Sequence, residues 1–115
     1  MAKVGIIRCQ QTEDICGGTA DFQFAAKGKG SFEPLGPCNV VGFVSCGGCP
    51  GKRAVARAKM LKEHGAEVIA LASCISLGTP LGFPCPHKDM MLQAIQRKLG
   101  DDVKVLDYTH PAPSH

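Results

Sequence analysis

The sequence predicts an α/β fold: a single-domain, three-layer sandwich around a four-stranded, mainly parallel sheet of flavodoxin- or Rossmann-like type. Two observations predict it. Short apolar runs alternate with helical patterns along the whole chain. Most of those runs are continuously apolar, as suits strands buried on both faces. The 115 residues fit one domain, residues 1–115, with enough chain to bury a core without disulfide staples.

The first strand is expected over Lys3–Arg8. A helical stretch over Thr19–Lys27 follows and breaks at Gly28-Lys29-Gly30. The second strand is expected over Asn39–Ser45. The helix after it, Gly51–His64, carries Ala54, Val55, Ala58 and Leu61 on one face and stops at Gly65. The third strand is expected over Glu67–Ser73. The last helix, Pro86–Leu99, has Met91, Ala94, Ile95 and Leu99 as its apolar stripe, Pro86 in its first turn and Gly100 at its end. The fourth strand, Val103–Tyr108, alternates in part and is expected at an edge. Residues 111–115 read as a frayed tail.

Composition narrows the function classes. Seven cysteines and fourteen glycines are unusual in so short a chain, while Trp is absent and Tyr occurs once. The net charge of +3 is mild, and the basic residues are spread along the sequence. With few aromatic platforms, this argues against a nucleic-acid partner. No apolar stretch approaches a membrane span, and the N-terminal run is too short for a signal-peptide core. A cytoplasmic location is expected, where thiols stay reduced. The odd number of cysteines also prevents complete disulfide pairing. Metal ligation or redox chemistry is the expected use of so many thiols.

The ends of the strands carry the chemistry. The first run closes Arg8-Cys9, the second Ser45-Cys46, the third Ser73-Cys74 and the fourth Thr109-His110. Each apolar run is followed by a polar residue and then a metal-capable side chain. In a parallel sheet these ends share the carboxyl edge, where open α/β folds bind ligands. Neighbouring strands are about 5 Å apart, so residues distant in sequence converge there.

Loops leaving the same edge add Cys16, Cys49 in Cys46-Gly47-Gly48-Cys49-Pro50-Gly51, and Cys85 and His87 in Cys85-Pro86-His87. The expected metal ligands are therefore Cys9, Cys16, Cys46, Cys49, Cys74, Cys85, His87 and His110. Cys38 precedes the second strand and is placed at the opposite edge, as a structural thiol. His64, near a helix C-terminus, suits the helix dipole.

Two phosphate loops are excluded by spacing. A Walker loop would need Gly where Cys46 stands and Ser or Thr where Arg53 stands. A phosphatase-type loop needs a Cys and an Arg enclosing five residues, whereas Cys46 and Arg53 enclose one more.

The Cys46–Gly51 motif, with Arg8-Cys9 before it and Ser73-Cys74, Cys85-Pro86-His87 and Thr109-His110 after it, resembles the CGGC domain family over nearly the whole chain. The resemblance implies a metal-binding protein rich in cysteine and histidine, of a kind common in anaerobic microbes. It carries Cys9, Cys46, Cys49, Cys74, Cys85 and His87 over as the matching positions. Many members have a further cysteine shortly after the one matching Cys16; here that region reads Thr19-Ala20-Asp21-Phe22.

So many donors exceed the four ligands of one structural zinc. Thiolate-rich sites select zinc, copper(I) and iron–sulfur clusters. An iron–sulfur cluster is favoured over zinc because thiols dominate and come from separate strands. The expected partners are the metal or cluster and a redox protein. The alternative is a thiol–disulfide oxidoreductase using Cys46 and Cys49, since a Cys-x-x-Cys at a helix N-terminus suits an attacking thiolate.

Overall fold

The computed structural model describes residues 2–10, 17–48, 52–76 and 85–109. Its strands are β1 (Ala2–Arg8), β2 (Cys38–Ser45), β3 (Val68–Leu71) and β4 (Lys104–Leu106). They form one sheet in the order β2-β1-β3-β4, and every pairing is parallel. The helices are α1 (Thr19–Lys27), α2 (Lys52–Glu63), the single turn α3 (Ser73–Ser76) and α4 (Lys88–Leu99). Two 3₁₀ segments, Gly30–Leu35 and Gly100–Asp102, lead into β2 and β4. The α/β sandwich with a parallel sheet is as expected.

The elements form for local reasons. β1 is a run of side chains buried from Val4 to Arg8, as the centre of a sheet demands. α1 ends on Gly28 in the left-handed region, where the amide bonds back to Ala25 and Phe24 carbonyls. α2 buries Ala54, Ala58 and Leu61, and α4 buries Met91, Ile95 and Leu99. Val55 and Ala94, expected on those stripes, are only half-buried.

Small residues let α2 sit close to the sheet. A β-carbon at Gly5 would lie 2.9 Å from the Leu61 side chain, and one at Gly42 would collide with Leu61 Cδ2. The register shift between Val4 and Gly5 sets Gly5 opposite Gly42. Both glycines thus lie under the same leucine, at the kind of irregularity that re-aims an edge strand.

The structure departs from the expected elements at several points, and the fourth strand covers only Lys104–Leu106 of the expected Val103–Tyr108. β2 reads as continuously apolar, yet it is an edge strand and mostly half-exposed beyond Cys38. β3 ends at Leu71, so Ser73 and Cys74 lie in α3 instead of closing the strand. The chain turns there because the Ile75 amide bonds to the Ala72 carbonyl, starting a helical turn at the strand's end. α4 starts at Lys88 with His87 in the cap position, which leaves Pro86 in the turn before it.

Candidate functional site

The chain leaves β1 at the middle of the sheet, goes first to β2 on one side and then to β3 on the other. This reversal makes a topological switch point between the carboxyl ends of β1 and β3. Cys9 follows β1 and Cys74 follows β3, so both flank that point. The Cys9 amide donates a hydrogen bond to Cys74 Sγ at 3.2 Å. Cys74 is buried, and Cys9 is half-buried.

Two further cysteines are tied to this pair through main-chain bonds. The Cys46 amide donates to the Arg8 carbonyl at 2.7 Å, which sets Cys46 beside Cys9. The Cys85 amide donates to the Ile75 carbonyl at 2.8 Å, which sets Cys85 beside Cys74. The row therefore runs Cys46, Cys9, Cys74, Cys85 across the ends of β2, β1 and β3. Cys85 Sγ accepts a 3.4 Å hydrogen bond from the His87 amide, and His87 itself is half-buried.

Amide donors of this kind are what metal-bound thiolates accept from their surroundings, and they tune cluster sites. The donor set thus has the chemistry for a thiophilic metal. Among the described residues, no three Cys, His, Asp or Glu side chains close around a single point. Cys16, Cys49 and His110, expected as ligands, lie outside the described residues.

Cys38 sits where the sequence puts it. It pairs with Ala2 at the start of β2, whereas Ser45 pairs with Arg8 at the far end. At about 3.3 Å per residue the strand separates it from the thiol row by over 20 Å. Its thiol donates to the Gly36 carbonyl at 3.2 Å, and burial pushes its pKa up.

The polar residues that precede the cysteines build the frame. Arg57 Nη1 donates to the Ser45 carbonyl at 3.0 Å and to Ser45 Oγ at 2.8 Å, and Ser45 Oγ also accepts from the Gly47 amide. Arg8 is buried, with its guanidinium carbon 6.0 Å from the centre of the Phe43 ring. Phe43 in turn stacks on Phe22 of α1 at 4.8 Å. Gly47 and Gly48 both have positive φ, and a β-carbon at Gly47 would come within 2.7 Å of Arg53 Cβ. The turn after Cys46 therefore requires glycine at Gly47.

Sequence reasoning missed a buried network at the same edge. Thr109 Oγ1 donates to Asp21 Oδ1 and accepts from the Ser73 amide at 3.1 Å. The Thr109 amide donates to Ser73 Oγ at 3.1 Å. The signal was present in the repeated pattern of a polar residue before each candidate ligand, which includes Ser73 and Thr109; nothing local marks Asp21.

Five basic residues, Lys52, Arg53, Arg57, Lys59 and Lys62, fall on α2. A shallow groove of about 500 Å³ is lined by Gly30, Ser31, Glu33, Pro34 and Tyr108; this described lining includes no cysteine. Among the described residues, no helix is long and apolar enough to cross a membrane.

Comparison with known proteins agrees with the motif. The chain is 35% identical over 109 residues to an uncharacterized protein of Methanocaldococcus jannaschii, covering 90% of this chain and 80% of the relative. No solved structure matches. The CGGC domain matches residues 3–110, which spans the described thiol row from end to end. The chain belongs to the CGGC domain family.

Proposed function

We propose that this protein holds a thiophilic metal centre at the carboxyl edge of its sheet, with an iron–sulfur cluster as the occupant ahead of zinc, and works in redox, metal handling or sensing. The observation that carries the reading is the row Cys46, Cys9, Cys74, Cys85, linked through neighbouring main-chain bonds. The proposed ligands are Cys9, Cys46, Cys74 and Cys85, with Cys16, Cys49, His87 and His110 completing the set.

Chemistry supports the assignment. A thiolate needs either a cation or hydrogen-bond donors when withdrawn from water. Cys74 and Cys85 each accept an amide donor. The occupant would supply electron transfer if it is a cluster, or a structural or sensing role if it is zinc. The chain's own part is to hold the thiols where the strands end and to present the centre at one end of the molecule. A reducing cytoplasm, and a redox protein as partner, would suit such a centre.

Anaerobic purification followed by a visible spectrum and assays of iron, sulfide and zinc tests the proposal. A brown protein containing iron and sulfide supports the cluster. A colourless protein with bound zinc supports the metal site with the other occupant. Metal-free protein that reduces disulfides through Cys46 and Cys49 would overturn the proposal in favour of an oxidoreductase.

A further inference from the structure

The buried network of Asp21, Thr109 and Ser73 joins three separate parts of the chain. Asp21 lies in the first turn of α1, Ser73 opens α3, and Thr109 follows β4. Ser73 and Thr109 are fully buried, and Asp21 is 2% exposed.

Every polar group of Thr109 is engaged. Its amide donates to Ser73 Oγ, and its hydroxyl bonds Asp21 and the Ser73 amide. Its carbonyl accepts from the Ser31 amide at 3.3 Å. A residue bonded at all its polar groups has one allowed position. Ser73 is held reciprocally through its own amide and hydroxyl.

Such a network is a costly way to fill a core. An apolar trio of similar volume would serve stability as well or better, because burying a carboxylate carries a large desolvation penalty. What a satisfied buried network does provide is one rigid arrangement. The position fixed here is that of Ser73, and the next residue is Cys74, whose sulfur accepts the Cys9 amide.

We infer that Asp21, Thr109 and Ser73 are positioning residues that hold Cys74 against Cys9 at the switch point. The inference rests on the metal-centre reading for its purpose, but its geometry is independent of any metal. Thr109 orients Ser73, Asp21 fixes the Thr109 hydroxyl, and the peptide linking Ser73 to Cys74 carries that constraint to the thiol.

The test uses full-length protein carrying Thr109→Val, Thr109→Ser or Asp21→Asn, each compared with the native chain. In metal-free protein, alkylation by iodoacetamide is followed at each cysteine by mass spectrometry. Cys38, buried at the opposite edge, reports general opening of the fold. Thr109→Val is expected to speed alkylation of Cys74 severalfold and leave Cys38 unchanged. Asp21→Asn, which keeps an oxygen acceptor, is expected to act in the same direction and less strongly. Thr109→Ser, which keeps the hydroxyl, is expected to restore the native rate.

Parallel acceleration of Cys38 and Cys74 would mean that the network only stabilises the fold, and would overturn the inference. An unchanged Cys74 rate in folded Thr109→Val protein would overturn it equally.

Zinc titrated against a chromophoric chelator gives the second readout. Loss of an orienting partner is expected to weaken affinity by about 10- to 100-fold in Thr109→Val. Native protein that binds neither zinc nor iron would end the metal-centre reading, while selective acceleration at Cys74 would still establish the positioning role.

Discussion

The amide of Cys9 donates to the sulfur of Cys74 although the two residues stand 65 positions apart in the chain. The contact exists because β1 and β3 are parallel neighbours, with Ile7 in register with Leu71, so both exits fall at the same height. The proposed thiolate site is built around this contact.

That contact predicts an ordered set of losses. Cys9→Ser, Cys46→Ser and Cys74→Ser should each lose much of the bound metal, while Cys38→Ser should retain it. Metal per chain, measured after anaerobic purification of each variant, checks the ordering. Equal loss from Cys38→Ser and Cys46→Ser would contradict the separation of the two edges.

The turn after Cys46 makes a second prediction. Gly47 has a φ of 82°, and an added β-carbon would press on Arg53. Gly47→Ala should destabilise the fold by about 1–3 kcal/mol and reduce metal retention, because the strain falls next to Cys46. Urea unfolding and metal content, measured together, provide the check. An alanine variant as stable as the native chain would show that the left-handed turn is not required.

Packing at Leu61 can be probed from both sides. The side chain is 3% exposed and covers Gly5 and Gly42. Leu61→Ala should cost about 2–5 kcal/mol through lost burial and the cavity left behind. Gly42→Ala should cost about 1–3 kcal/mol through overpacking. The double variant should be less destabilised than the sum, since the new methyl enters the space the leucine vacates. Additive losses in denaturant unfolding would argue against direct contact.

Cys38 has a pH signature. Burial raises its pKa, so the folded chain holds the thiol proton more tightly than the unfolded chain does. Its contribution is fully present below the unfolded thiol's pKa of about 8.5 and is lost as pH rises toward and through the folded value. Stability of the native chain should therefore decline above that pH more steeply than that of Cys38→Ala. Urea unfolding of both proteins across the alkaline range checks the slope; identical slopes would mean that Cys38 titrates alike in both states.

Much of the fold was legible because its signals are local. α1 follows Thr19–Lys27 as read, since a left-handed glycine ends it. α4 differs from expectation only at its start, Lys88 instead of Pro86, and α2 ends at Glu63, one residue short of the expected His64. The expected third strand runs past Leu71 to Ser73 because Ala72 and Ser73 are compatible with a strand, whereas the bond from Ile75 to Ala72 starts a helical turn at Ser73. The apolar run of β2 suits burial on both faces, but order in the sheet is not written in a strand's composition, and β2 lies at an edge, mostly half-exposed.

The sequence by itself determined an α/β chain, the parallel direction of its strands and the residue types gathered at their ends, because periodicity, glycine stops and apolar runs act over a few neighbouring residues. Tertiary structure alone decided that Cys74 meets Cys9 from a helical turn, that Leu61 covers paired glycines, and that Asp21 reaches Thr109 across 88 positions. Those relations depend on strand order, register and the close approach of distant segments, and no local pattern encodes them.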